Sequence, residues 1–139
     1  MLRLRDILQF PSFYSKRNLS VNKNIISITK VNKEENSIEI TGSSGKYNPK
    51  IQLLGGTDLN NIVNIFCDCE SFKFEFSSSV FKNGSLLNPD KFGKFLNTAP
   101  RKKNAYMIPS GCKHIISLAK LFIQQKNKYI WGEVNDRSH

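Results

Sequence analysis

All three cysteines of this chain and one of its two histidines fall in two short stretches, CDC at 67–69 and CKH at 112–114. Thiolate and imidazole are ligands that Zn²⁺ prefers, four to an ion in a tetrahedron. Two pairs, each with one intervening residue, supply that number. An odd cysteine count does not fit a disulfide framework. Three unrelated buried thiols are the bland alternative, since free cysteine packs as a small hydrophobe. The gathering of every thiol into two compact pairs favours one metal site made of Cys67, Cys69, Cys112 and His114. His139 is terminal and stands apart.

Four protein ligands close a tetrahedron and leave no position for water or substrate, so the expected site is structural. Asp68 and Glu70 flank the thiols, but no nucleophile, base and acid gather around them. No enzymatic activity and no small-molecule substrate are therefore expected. Ligand type alone leaves other thiophilic metals open beside zinc.

The first pair needs an element that aims both thiols the same way. In NIVNIFCDC, residues Val63, Ile65, Cys67 and Cys69 are spaced by two and share one face of an extended strand. Phe72, Phe74 and Phe76 then form a second period-2 run, shifted by one residue, which predicts a turn or bulge near Glu70–Ser71. This Phe stripe is expected to be core. The second pair enters the best helix of the chain, IPSGCKHIISLAKLFIQQKNK. Its apolar positions Ile115, Leu118, Ala119 and Phe122 follow the i, i+3, i+4, i+7 pattern, with Ser110 as N-cap. A helix N-terminus stabilises a thiolate. Gly111 is expected to let the backbone approach the ion.

Upstream, NIISITKVNKEENSIEITG reads as a β-hairpin over 25–42 and KIQLLGG as a third strand stopped by two glycines. Tyr129–Trp131 is a candidate short strand after the helix. These elements predict an α+β fold: a small antiparallel β-sheet with one main C-terminal helix, stapled by a structural zinc site. We expect a basic N-terminal arm over 1–24 and a single domain over 25–131. That domain carries a long loop over 82–110, and a flexible tail occupies 132–139.

The chain carries 21 Lys and Arg against 11 Asp and Glu, a formal charge of +10. Such a surface draws phosphate backbones, acidic proteins or other anionic partners. Within the long loop, Arg101, Lys102 and Lys103 are candidates for a phosphate or partner contact, as is Lys113 between two ligands. A solvated loop and an exposed lysine are the plainer readings of the same residues. No run of 18 apolar residues occurs, so no membrane contact is expected. The start MLRLRDILQFPSFYSKR lacks the apolar stretch and small-residue cleavage site of a secretory signal, and Asp6 and Pro11 weigh against a mitochondrial address.

C-x-C at a strand end followed by C-x-H at a helix start resembles the SWIM zinc-binding module, a ββα unit. That resemblance implies ligand roles for Cys67, Cys69, Cys112 and His114, and binding to nucleic acid or protein. It spans residues 67–114, with a longer spacer than SWIM modules usually have. CDCESFKFEF…NP…IPSGCKHIISL also resembles a group of small tailed-bacteriophage proteins, in which a C-x-C and an aromatic, basic strand pair with an IPGLCKHL-like segment. Cys67, Cys69, Phe72, Phe74, Pro109, Gly111, Cys112, Lys113 and His114 carry the match. Glu70–Ser71 stands where Pro-Asp is expected, and Ser110–Gly111 where Gly-Leu is. The resemblance implies a virion structural protein, assembled in the host cytoplasm and placed at the capsid or the head–tail connector. Its partners would be other virion structural proteins, with DNA reached through the basic arm and loop.

Overall fold

The computed structural model of the protein describes residues 1–8, 26–70, 72–93 and 111–137. Four strands form one antiparallel sheet in chain order: β1 (Ser27–Lys33), β2 (Ser37–Ser43), β3 (Lys50–Leu54) and β4 (Ile62–Phe66). The predicted hairpin and third strand are all present. Gly55, with φ of 82°, ends β3 in a backbone conformation that L side chains rarely adopt, and its N–H donates to the Asn36 carbonyl (2.8 Å).

Register decides which residues meet the helix. Val31, Ile40, Ile51 and Ile65 stand in one row across the four strands. Ile38, Leu53 and Val63 form the next row on the same face. A helix over Lys113–Arg137 covers this face. Its predicted stripe of Ile115, Leu118, Ala119 and Phe122 is buried throughout. The approach is close: a Cβ on Gly42 of β2 would lie 2.9 Å from Leu118 Cδ1. The fold is therefore α+β, with a four-stranded antiparallel sheet and a long C-terminal helix.

Several expectations need correction. Residues 1–8, expected to be part of a basic N-terminal arm, pack into the domain's own core through their apolar side chains. Leu2, Leu4 and Ile7 are buried, and α1 spans Leu4–Leu8. The physical reason is the edge of β4, whose backbone groups need partners. Val63 N–H donates to the Leu2 carbonyl (2.9 Å), and Arg3 pairs antiparallel with Ile62. Residues 9–25 of the expected arm lie outside the described residues. Part of the expected long loop is likewise built in. Ser85 is buried, accepts the Leu2 N–H at Oγ (2.7 Å), and accepts the Ile65 N–H at its carbonyl (2.8 Å). Leu86 pairs in parallel with Ile65, so the two segments share the β4 edge.

The Phe run is helical. Phe72–Phe76 forms a π-helical turn that leads into α2 (Ser77–Lys82). Alternation at 72, 74 and 76 also places Phe72 and Phe76 four apart, and with Val80 they bury one helical face. The core assignment holds for Phe72 and Phe76, while the strand assignment does not. The Lys113–Arg137 helix, α3 in chain order, also runs through the expected strand at 129–131 and the expected tail up to Arg137. Extending an existing helix gains one hydrogen bond per residue fixed, which outweighs the local β preference of Tyr, Ile and Trp.

Candidate metal centre

Cys67 and Cys69 come directly after β4, where the chain leaves the sheet and turns into the Phe72 helix. The predicted break near Glu70 falls where helical backbone begins. Cys112 and His114 sit at the start of α3, against the end of the sheet that β4 supplies. The four ligand atoms lie within 4.8 Å of one another, and all four residues are buried. Cys67 Sγ is 3.8 Å from His114 Nδ1, and Cys112 Sγ is 3.9 Å from the same nitrogen. Nδ1 is therefore the imidazole atom that faces the thiols.

Zinc bond lengths of about 2.3 Å to sulfur and about 2.0–2.1 Å to nitrogen set tetrahedral edges of about 3.6 Å for S···N and about 3.8 Å for S···S. The observed S···N separations exceed that edge by only a few tenths of an ångström. The residues fit a tetrahedral ion with minor closure, and a soft donor set of this kind selects zinc among common cellular divalent ions. Cys67, Cys69, Cys112 and His114 form a Cys3His site for a single structural zinc ion. The chemistry such an ion supplies is a cross-link between the end of β4 and the start of α3.

Electrostatics inside the cluster point the same way. The Cys112 and Cys67 thiols donate toward Cys69 and hold it far below the usual thiol range, against the effect of burial; His114 and the Phe72 N–H add to the lowering. That N–H lies 3.3 Å from Cys69 Sγ. At Cys67 the Cys112 thiol favours the thiolate, but the Cys69 side chain, burial and the Cys69 charge outweigh it and push the group well up. Burial first, then Cys67 and Cys69, push Cys112 well up. Without a cation these effects favour the thiolate at Cys69 and the protonated thiol at Cys67 and Cys112. A divalent ion replaces the two thiol protons and leaves the net charge of the cluster unchanged, three thiolates against one dication.

Gly111 closely approaches Ile115. A Cβ there would lie 2.7 Å from Ile115 Cγ2 and 2.9 Å from Ile115 Cβ, so the glycine serves the tight entry into α3. Asp68 is exposed, as its strand parity predicts, and its Oδ1 accepts the Asn48 N–H (2.7 Å). Lys113 opens α3 half-exposed between two ligands. Arg101, Lys102 and Lys103 lie outside the described residues. Sequence reasoning missed Tyr47, whose ring packs on His114 with centroids 5.3 Å apart and planes tilted by 51°. Tyr47 is 67 positions from His114 in a loop with no metal-ligand pattern, so no local signal marks the contact.

No protein-family model matches this chain, and neither a curated protein nor a solved structure is significantly similar to it. Among the described residues, no helix is long and apolar enough to cross a membrane. The fold and site together define a zinc-stapled α+β module.

Proposed function

We propose that the protein is a non-enzymatic structural component that uses its zinc-stapled module as a rigid unit in a larger assembly, namely the virion of a tailed phage. The observation that supports a structural role is the closed ligand set: four buried protein ligands converge and leave no coordination position for a reacting group. The phage setting, with capsid or head–tail connector as its place and assembly in the host cytoplasm, rests on the likeness of CDCESFKFEF and IPSGCKHIISL to small phage virion proteins. Its neighbours are then other virion proteins. Density-gradient-purified particles, analysed by quantitative mass spectrometry, should contain the chain at a fixed copy number with one zinc per copy. Its absence from washed particles would refute the virion assignment.

A SWIM-type nucleic-acid- or protein-binding module is the second reading, and charge distribution favours it. Lys16, Arg17, Lys23, Lys94, Arg101, Lys102 and Lys103 lie in 9–25 and 94–110, and these two stretches hold no acidic residue. The purified chain then binds duplex DNA on its own, with affinity falling steeply as salt rises. Alanine at Arg101, Lys102 and Lys103 leaves the fold intact and lowers that salt dependence. DNA binding that the triple variant does not weaken removes these residues from the contact.

A further inference from the structure

We propose that the β2–β3 loop, residues 44–49, is the outer wall of the zinc site, and that Tyr47 sets how fast the ion exchanges with solution. The inference rests on the zinc reading of the Cys3His cluster. Cys67, Cys69 and Cys112 are 2% exposed or less, whereas His114 is 7% exposed, so His114 is the ligand residue with the most solvent contact. The Tyr47 ring lies against that imidazole.

The loop backbone that carries the ring is fixed on both sides of Tyr47. Tyr47 N–H donates to Ser44 Oγ (3.0 Å), and the Tyr47 carbonyl accepts the Ser44 N–H (2.9 Å) and hydroxyl (3.2 Å). The next residue, Asn48, donates its N–H to Asp68. Asp68 stands between the ligands Cys67 and Cys69. One short loop thus touches the first ligand pair through Asp68 and the second through His114. Lys46 Nζ lies 5.3 Å from the Tyr47 ring centroid and keeps the outer side of this wall charged. A chelator or competing ligand must pass this wall to attack the ion. Groups surrounding a metal site control solvent access and typically change affinity about 10–100-fold when removed.

The test tracks zinc transfer from the loaded full-length chain to excess colorimetric chelator, alongside thermal melts. Tyr47→Ala should retain one zinc and release it about tenfold faster or more. Tyr47→Phe keeps the ring and should release at the parent rate. Asp68→Ala frees the loop from the first pair and should fall between them. Ile38→Ala, at the partly buried residue of the row farther along the sheet, should lower the melting temperature without speeding release. Release from Tyr47→Ala at the parent rate, or an equal acceleration in Ile38→Ala, overturns the wall while leaving the zinc site standing. A parent protein that holds no zinc overturns the site and the wall together.

Discussion

Free zinc, buffered in steps across several decades, should raise the melting temperature along a straight line against the logarithm of its concentration. Only the folded chain brings together two ligand pairs separated by 42 residues, so the ion binds the native state in preference to the unfolded one. The ligand atoms already lie within 4.8 Å, so little of the binding energy goes into rearrangement. Above the dissociation constant, each tenfold rise in free ion adds about 1.4 kcal/mol of stability. Unfolding entropies of about 2.1 cal/mol/K per residue give about 0.29 kcal/mol/K for a chain of this length. The expected slope is therefore about 5 °C per decade. Differential scanning calorimetry in metal buffers reads it directly, with Cys67→Ser as the flat control. A parent protein whose melting temperature does not move with zinc would refute the claim that the four ligands act as one site.

Gly111→Ala would set a Cβ against Ile115 Cγ2 and Cβ, which are too near the backbone to swing away. Cys112 and His114 should shift, and competition with a chelator should show zinc affinity about tenfold lower or more. Phe76→Ala should cost about 3–5 kcal/mol in urea titrations, because the ring is buried beside Phe72 and Val80, while one zinc per chain is retained. In the presence of chelator, stability should fall as pH rises above about 8.5, where unfolded thiols ionise. The folded pKa values of Cys67 and Cys112 are raised, so their contribution is present below the unfolded pKa and lost above it. Two groups give a limiting slope of about 2–3 kcal/mol per pH unit, and the zinc-loaded protein should not share it. Equal pH profiles with and without chelator would contradict the charge state assigned to the metal-free pocket.

The ligand set was legible because it depends only on residue type and pairing. The sheet was legible because Ile38, Ile40, Ile51, Leu53, Val63 and Ile65 alternate with polar residues between recognisable turns. Helix α3 announced itself through Ile115, Leu118, Ala119 and Phe122. FKFEF misled because two-residue alternation contains a four-residue one, and the residues after Phe76 decide between strand and helix. Val80 extends the helical face, and Ser77 stays in the helix by donating its hydroxyl to the Lys73 carbonyl. Residues 1–8 and Ser85–Leu86 were illegible as strand partners because their contacts depend on β4, far away in sequence. Tyr47 escaped for the same reason.

Helix α3 is rooted in the metal site and runs for 25 residues. At 1.5 Å per residue that is a rod of about 37 Å. The ion therefore works at the fulcrum of a lever: a tilt of about ten degrees at the root moves the far end by about 6 Å. A displacement of this root would be magnified along the rod, so metal occupancy is expected to act on geometry at a distance as well as on stability.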